Sequence, residues 1–295
     1  STMYDIEALY EANTVKEAIL MLSEHPEAKI IAGGSDVLIK IREGSLAACT
    51  LVSIQRLDEL RGISLEKDGA LRIGALSSFS RITANLLIQA HIPVLGDAVS
   101  KVGGPQVRNI GTIGGNVCNG VTSADSASTL VAYDALMEYH GPDGIRLVPI
   151  TEHYVAAGKT ALKHEEILCA IIIPKESYQD TFGHYIKYAM RNAMDIATLA
   201  CSVNVRLSDD KKKIERLRVA FGVAGPVPMR AAHSEQAANG KAVCEETIKA
   251  AAQAVLEDIK PRTSWRASKE LRAHLAVELV KRAAQEAIIK AGGLK

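Results

Sequence analysis

The chain has 295 residues, of which 47% are hydrophobic and 23% charged, a composition typical of a folded globular protein. Its 35 basic and 34 acidic residues give a formal net charge of +1, which excludes a general electrostatic attraction to nucleic acid or anionic lipid. Five cysteines are scattered without a Cys-x-x-Cys pair, so their spacing excludes a locally assembled zinc knuckle or iron–sulfur cluster.

The sequence also carries information about location. It contains no apolar run of the length that a membrane-spanning helix requires, and its first residues lack the basic and apolar regions of a signal peptide. We interpret the cysteines as free thiols in a reducing compartment. We therefore expect a cytoplasmic protein with neither a membrane nor a nucleic acid as partner.

The first predicted element is a helix. Thr14 and Glu17 have the capping-box spacing, in which the side chain of the first residue accepts a hydrogen bond from the amide of the fourth. Apolar residues follow at helical spacing, so we predict a helix that ends at His25. A short buried strand is predicted next, over residues 29–32.

A glycine pair, Gly33-Gly34, follows this strand. Ser35 and Asp36 are good N-cap residues for a helix predicted over residues 37–41, so the orphan N–H groups of that helix and the glycine amides would face one point. This arrangement favours an anion. Taken alone, however, a glycine pair is more often a tight turn than a ligand loop.

The middle of the chain alternates strands and helices. The pattern predicts a hairpin with a primed turn at Asp68-Gly69, helices over 79–90 and 93–102, and strands over 135–139 and 166–173. Pro174 closes the last of these strands, because proline cannot donate to a sheet.

A second glycine segment lies inside this region. From Gly111 to Asp125 the chain has almost no large side chain, which indicates close approach of the backbone to a ligand. The two glycine segments are about eighty residues apart. Together they predict a diphosphate held from both sides, which favours a dinucleotide such as FAD over a mononucleotide.

The last third of the chain has a different pattern. Residues 175–180 are polar and are predicted to form a linker. Beyond them the pattern predicts strands over 196–207 and 214–225, joined by a charged turn, and then helices over 245–259 and 269–291, the last of which stops at Gly292-Gly293. This order predicts a second, α+β domain.

Three segments carry a resemblance to a known family: residues 29–37, residues 106–125 and residues 187–191. The most specific motif is Gly111-Thr112-Ile113-Gly114-Gly115-Asn116, with Asp125 nine residues further on. Over nearly its whole length the chain resembles the FAD-binding subunits of the molybdenum hydroxylases. Within that family it is most similar to the medium subunits of the bacterial xanthine dehydrogenase type.

The resemblance implies the fold. We expect an α+β protein whose residues 1–176 form an FAD-binding domain of the vanillyl-alcohol oxidase type, made of two α/β subdomains over about 1–55 and 56–176. A C-terminal flavoprotein domain with an antiparallel sheet and helices is expected over 177–295. The flavin would lie between these parts.

The resemblance also implies a set of cofactor-binding residues, but no catalytic residue and no metal ligand. The diphosphate would contact the amides of Gly33, Gly34 and Ser35 on one side and of Gly114, Gly115 and Asn116 on the other. The implied FAD-binding residues are Lys29, Ile30, Ile31, Ala32, Gly33, Gly34, Ser35, Asp36, Val37, Val102, Gly103, Val107, Thr112, Gly115, Asn116, Cys118, Asn119, Asp125, Ile167 and Lys187.

Two of these residues have an implied role of their own. Asp125 would accept hydrogen bonds from the sugar or ribityl hydroxyls, although by itself it is typical of a helix N-cap. Lys187 would lie beside the flavin ring, where a cation stabilises the reduced anionic flavin, although by itself it is typical of a surface lysine.

The residue that covers the flavin ring is left undecided by the resemblance. Residues 188–195 correspond to a loop that lies over the ring in the family. Val102 stands where some relatives have an aromatic residue, so Tyr188 and Tyr185 are the alternatives for that cover.

The implied function is electron transfer. FAD in this chain would take electrons from two-iron, two-sulfur clusters in a small partner subunit and reduce NAD, while a purine is hydroxylated at molybdopterin in a large partner subunit. A heterotrimer is the expected working unit. The alternatives are an FAD subunit of a nicotinate, aldehyde or carbon monoxide hydroxylase, a self-contained FAD-dependent oxidase of the same fold, and a scaffolding subunit without flavin.

Overall fold

The computed structural model describes residues 6–32, 49–100, 111–118, 126–192, 195–222, 227–259 and 269–294. These residues form an α+β fold with three main sheets and a separate two-stranded hairpin. Among them, no helix has both the length and the apolarity to cross a membrane.

The first sheet is parallel and has three strands. Its strands, in spatial order, are β1 (Ile6–Glu11), β3 (Cys49–Ser53) and β2 (Lys29–Ile31), and helix α1 (Val15–Glu24) connects β1 to β2. The predicted helix is confirmed, because the hydroxyl of Thr14 accepts a hydrogen bond from the amide of Glu17 at 3.0 Å. Strand β2 confirms the predicted strand and carries the chain towards Gly33.

The second sheet is antiparallel and has five strands. In spatial order they are β4 (Ile63–Leu65), β5 (Leu71–Gly74), β10 (Ile167–Ile173), β6 (Leu136–Gly141) and β7 (Gly144–Pro149). Strands β8 (Tyr154–Ala156) and β9 (Lys159–Thr160) form the separate hairpin. The strands predicted over 135–139 and 166–173 are confirmed as β6 and β10.

The β4–β5 hairpin is confirmed, but its turn differs from the predicted primed turn. The amide of Glu66 donates to the carbonyl of Ala70, and the amide of Gly69 donates to the carbonyl of Glu66, which leaves a three-residue loop. Gly69 has a φ of +88°, whereas Asp68 is not among the residues with positive φ. The loop is thus a type I turn followed by a left-handed glycine, because a primed turn needs positive φ at the first central residue.

Seven helices accompany the second sheet in the described residues: α2 (Phe79–Ala84), α3 (Leu86–His91), α4 (Pro93–Val99), α5 (Ile113–Cys118), α6 (Ala127–Ala132), α7 (Ile150–His153) and α8 (Lys175–Tyr178). The single helix predicted over 79–90 is wrong, because Asn85 divides it. The side chain of Asn85 accepts hydrogen bonds from the amides of Leu87 and Ile88 and so starts α3. The predicted linker over 175–180 contains helix α8, whose Tyr178 is buried.

The third sheet is antiparallel, with four strands in the order β11 (Phe182–Asn192), β12 (Asp195–Leu207), β13 (Ile214–Phe221) and β14 (Met229–Arg230). Helices α9 (Ala232–Ala238), α10 (Glu245–Ala254) and α11 (Lys269–Lys290) accompany it. Strands β12 and β13 confirm two predicted strands, and α11 ends as predicted, at Gly292 with a φ of +96°. The predicted loop over 188–195 is wrong, because strand β11 reaches Asn192, which pairs with Asp195 of β12.

Buried side chains join the three sheets. An apolar cluster that we call the α1 core contains residues of the first sheet and α1, together with Ile167 and Cys169 of the second sheet and Leu76, which follows β5. A larger cluster contains the helices of the second sheet and also Tyr185, Ala200 and Ala220 of the third sheet. The second sheet therefore lies between the other two and packs against both.

Candidate cofactor site

The predicted site residues divide into two groups. Ten lie outside the described residues: Gly33, Gly34, Ser35, Asp36, Val37, Val102, Gly103, Val107, Asn119 and Asp125. The helix predicted over 37–41 lies outside them as well. The other ten are described: Lys29, Ile30, Ile31, Ala32, Thr112, Gly115, Asn116, Cys118, Ile167 and Lys187.

The approach to the first glycine pair is fixed by β2. The carbonyl of Ile31 accepts a hydrogen bond from the amide of Ile54 at 3.0 Å, just before the chain leaves the sheet. Ile30 and Ala32 are half-buried and pack against the α1 core, whereas Lys29 is exposed. Strand β2 thus holds residues 29–32 in a defined position at its carboxyl end.

Helix α5 contains the central glycines of the second segment, and its amino end is closed by the fold. Its first three N–H groups each have an acceptor in the chain: Ile113 donates to the carbonyl of Ser77 at 3.0 Å, Gly114 to the carbonyl of Ala75 at 2.8 Å, and Gly115 to Oγ1 of Thr112 at 3.0 Å. The next amide, that of Asn116, donates to the carbonyl of Thr112.

The resemblance predicts that the amides of Gly114, Gly115 and Asn116 contact the diphosphate. In this structure each of these amides donates within the chain, and the diphosphate contact stays a prediction. The free N–H groups that make a helix amino end attractive to anions are satisfied here by two carbonyls that follow β5 and by a threonine cap.

The two adjacent glycines of α5 have different reasons to be glycine. A Cβ on Gly114 would lie 2.6 Å from the carbonyl oxygen of Ala75, so this glycine lets the helix pack directly on the end of β5. Gly115 is exposed, and a Cβ there would meet Oγ1 of Thr112 at 3.0 Å. At Gly115, the surface of the first turn of α5 is therefore exposed backbone without a side chain.

The side chain of Asn116, in α5, bonds to the residue that precedes the next helix. Its Oδ1 accepts a hydrogen bond from the hydroxyl of Ser126 at 2.8 Å. This bond joins the two ends of the segment that contains Asn119 and Asp125. Within the described residues, Asn116 thus clamps the base of a predicted ligand loop.

The carboxyl end of α5 lies on a buried histidine. Nε2 of His153 donates to the carbonyl of Val117 at 3.2 Å, and Nδ1 accepts from the hydroxyl of Tyr139. Burial lowers the pKa of His153 to about 4, so the ring is neutral at physiological pH. No local signal in the sequence marks His153, because its partners are distant in the chain.

Burial also determines the protonation state of the Cys118 thiol at the end of α5. It raises the pKa of this thiol to about 12, so the group is protonated at neutral pH and is a poor nucleophile or metal ligand. No group of three or more metal-binding side chains occurs in the part of the chain that the structure describes.

The remaining predicted residues lie on two different sheets. Ile167 is buried in the α1 core at the start of β10, against which α5 packs. Lys187 is exposed on β11 in the third sheet, opposite Ala200. Of the two alternatives for the ring cover, Tyr185 is buried in the protein core and Tyr188 has an exposed ring.

The described part of the site fits FAD chemically. The exposed backbone of Gly115 lies beside Asn116, a half-buried neutral amide, and groups of this kind suit the hydroxyls and phosphate oxygens of a dinucleotide. Strand β2 and helix α5 supply one anchored end of each glycine segment. That these two segments hold the cofactor stays a prediction.

Comparison with known proteins decides the family. Residues 4–176 match the family model described as the FAD binding domain in molybdopterin dehydrogenase, and residues 184–287 match the CO dehydrogenase flavoprotein C-terminal domain. The chain belongs to the FAD-binding subunits of the molybdenum hydroxylases.

Relatives of this family cover the whole chain. It is 44% identical over 291 residues to the xanthine dehydrogenase FAD-binding subunit of Escherichia coli O157:H7, a match that covers 99% of each chain. Against the carbon monoxide dehydrogenase medium chain of Hydrogenophaga pseudoflava it is 30% identical over 271 residues, covering 92% of this chain and 93% of the relative.

Solved structures share the fold. A structure of carbon monoxide dehydrogenase from Hydrogenophaga pseudoflava matches with a TM-score of 0.88 at 30% identity, covering 97% of this chain and 98% of the other. Quinoline 2-oxidoreductase from Pseudomonas putida 86 matches with a TM-score of 0.88 at 25% identity, covering 98% and 99%. The α+β architecture expected from the sequence is confirmed.

Proposed function

We propose that this chain is the FAD-carrying electron-transfer subunit of a xanthine dehydrogenase, which takes electrons from iron–sulfur clusters in a partner subunit and passes them to NAD. The observation that carries the proposal is the 44% identity over 99% of the chain to a xanthine dehydrogenase FAD-binding subunit. The exposed backbone of Gly115, between an anchored Thr112 and Asn116, supports the same proposal from geometry.

The proposed site uses the chain in two ways. When bound, FAD supplies the chemistry, because a flavin accepts single electrons and delivers a hydride. The chain orients the cofactor: the bare surface of Gly115 admits close approach, and the hydrogen bond from Ser126 orients the amide side chain of Asn116. Lys187 supplies a cation for the reduced flavin in this proposal.

The proposal includes the division of the chain and its partners. An FAD-binding domain over 1–176 and a C-terminal domain over 177–295 are supported by the two family matches, which end at 176 and begin at 184. The partners are a large molybdopterin-binding subunit and a small iron–sulfur subunit, in a cytoplasmic heterotrimer. The proposed substrate of the complex is a purine.

Cofactor binding is tested on the full chain. We expect the purified protein to contain about one FAD per chain and Gly115→Trp to lose it while remaining folded, because the indole would occupy the space next to the exposed backbone. Lys249→Trp on the exposed side of α10 is the matched control and should retain FAD. Normal FAD content in Gly115→Trp would contradict the proposed site, and a wild-type chain without flavin would favour the scaffolding alternative.

The reaction is tested on the reconstituted complex. Xanthine and hypoxanthine should reduce NAD only when all three subunits are present, and nicotinate, aldehydes and carbon monoxide should give much lower rates. Turnover of substrate with oxygen by this chain alone would instead support a self-contained oxidase. Preference for another hydroxylase substrate, or for an acceptor other than NAD, would overturn the corresponding part of the proposal.

A further inference from the structure

A buried pair of side chains lies beneath helix α5. Tyr139 on β6 and His153 at the end of α7 are both fully buried. The hydroxyl of Tyr139 donates to Nδ1 of His153, and Nε2 of His153 donates to the carbonyl of Val117 at 3.2 Å. The pair thus connects the second sheet to the last turn of α5.

The pair supplies a hydrogen-bond donor to the carboxyl end of α5. A six-residue helix is not stable by itself, and its last carbonyls have no partner within the helix. At the other end, the chain satisfies the first N–H groups through Ser77, Ala75 and Thr112. His153 is the corresponding anchor at the carboxyl end, where it bonds the carbonyl of Val117, the residue before Cys118.

Tyr139 acts through the orientation of the His153 ring. The carbonyl of Val117 can only accept, so the ring proton lies on Nε2, and the lone pair of Nδ1 accepts from the phenol. The two hydrogen bonds, one on each ring nitrogen, fix the plane of the ring against Val117. Without the hydroxyl, Nδ1 is buried without this donor, and a single bond, to Val117, is left to orient the ring.

A second contact holds the phenol ring in place. The guanidinium carbon of Arg146 lies 5.0 Å from the centroid of the Tyr139 ring. Nε and one terminal nitrogen of Arg146 donate to the two carboxylate oxygens of Glu166, each at 2.8 Å. The orientation of Tyr139 is thus fixed by strand β7 and by the residue that precedes β10.

We propose that Tyr139 and His153 are positioning residues for the flavin. They fix the carboxyl end of α5, the helix that contains Gly115 and Asn116 of the proposed site. This inference rests on the proposed function, because it assigns these buried side chains a role in FAD affinity and not only in folding.

The chain offers a matched control in Tyr154. Its ring also packs on His153, edge to face with ring centroids 4.9 Å apart, and is almost completely buried. Its hydroxyl, however, has no hydrogen-bond partner in the structure as described. Tyr139→Phe and Tyr154→Phe therefore remove the same atom from two neighbouring rings, but only the first removes a bond to His153.

The test is a titration of the flavin-free full chain with FAD, at a temperature well below unfolding, followed by flavin fluorescence. We expect Tyr139→Phe to raise the Kd about three- to tenfold, as expected for one buried hydrogen bond, and Tyr154→Phe to stay within about twofold of wild type. His153→Leu should raise the Kd at least as much as Tyr139→Phe. His153→Gln should recover most of the affinity, because its amide can both donate and accept.

A second readout separates positioning from stability. At saturating FAD, the visible circular dichroism of the flavin should change in Tyr139→Phe and remain that of wild type in Tyr154→Phe. Equal Kd values for wild type and both phenylalanine variants, with lower melting temperatures alone, would overturn the inference and leave the proposed function intact. A wild-type chain that takes up no FAD would overturn both.

Discussion

The two joints between the sheets of this protein are built from different interactions. The joint between the first and second sheets is the apolar α1 core, and beside it Nε2 of His164 lies 3.0 Å from the carbonyls of Leu22 and His25. The joint between the second and third sheets also contains buried hydroxyls and an ion pair: Ser202 bonds Ser128 and Thr129, and Arg230 pairs with Asp134 across the joint and with Glu235 of α9 beside the third sheet.

The difference indicates two roles. Apolar burial is not directional, so the first joint supplies cohesion with little control over orientation. Hydrogen bonds and bidentate ion pairs require defined distances and angles, so the second joint fixes how the third sheet sits on the helices of the second. We expect the first joint to be insensitive to salt and the second to depend on intact charge pairs.

The largest loss of stability is expected from a substitution at the joint between the second and third sheets. Arg230→Ala should lower the free energy of unfolding by about 3–5 kcal/mol, because it leaves the buried carboxylate of Glu235 with the amide of Val219 and with Arg218, 3.7 Å away, in place of a bidentate pair. Urea unfolding measures this loss. Arg56→Ala, which removes an exposed pair with Glu11, should cost less than about 1 kcal/mol. Similar losses for both variants would remove the distinction between a buried and a surface pair.

An apolar truncation tests the first joint. Ile167→Ala should cost about 3 kcal/mol, since the side chain is fully buried in the α1 core and its loss leaves a cavity. Ile145→Ala on the exposed edge strand β7 is the control and should cost almost nothing. Unfolding in urea at low and at high salt should give the same loss for Ile167→Ala. A strong salt dependence there would break the comparison between the two joints.

The protonation of buried His153, which lies outside both joints, provides a reference for the stability changes predicted above. His153 has a pKa of about 4 in the folded chain, below its ordinary value of 6.5, so the unfolded chain gains the proton first as the pH falls. The stability contributed by the neutral ring is complete above about pH 6.5, and about 2 kcal/mol of it should be lost by pH 5.

Urea unfolding of wild type and His153→Gln at pH 7 and pH 5 measures this reference. The groups around the ring, Tyr139, Tyr154 and Cys118, stay neutral in this range, and Arg146 remains paired with Glu166. The variant should therefore lose less stability than wild type between the two pH values. Equal losses would show that His153 is not the titrating group.

The smallest effect is expected from the hydroxyl cluster. Ser202→Ala should cost about 1–2 kcal/mol, because Ser128 and Thr129 lose a shared buried partner. Ser23→Ala removes an exposed hydroxyl that bonds only to a carbonyl of its own helix, and its effect should be near zero. Thermal unfolding of both variants is sufficient to separate these values. No difference between them would mean that the cluster does not orient the third sheet.

The sequence predicted those elements whose ends are set by neighbouring residues. Thr14 caps α1, Pro174 follows β10, and Gly292 ends α11 in a left-handed conformation, and each signal acts within a few residues. The division of a predicted helix at Asn85 was missed, because an asparagine on the polar side of a helix looks the same as one that caps the next helix.

Elements that depend on distant partners could not be predicted in this way. Helix α8 was taken for a linker, but Tyr178 anchors it by donating to the carbonyl of Gly69, which is 109 residues away. Strand β11 was expected to end in a loop at 188–195, but it is extended along its full length because it pairs with β12. Pairing and burial override weak local preferences in both cases.

By itself, the sequence determined the glycine segments, the helix caps and the family resemblance, because each is expressed by residue types at short spacing. Only the tertiary structure decided that the amino end of α5 is closed by Ser77, Ala75 and Thr112, and that its carboxyl end lies on His153. The physical reason is that a hydrogen bond depends on which groups meet in space. Groups that are 36 residues apart in the chain, such as Val117 and His153, meet only after the sheets have assembled.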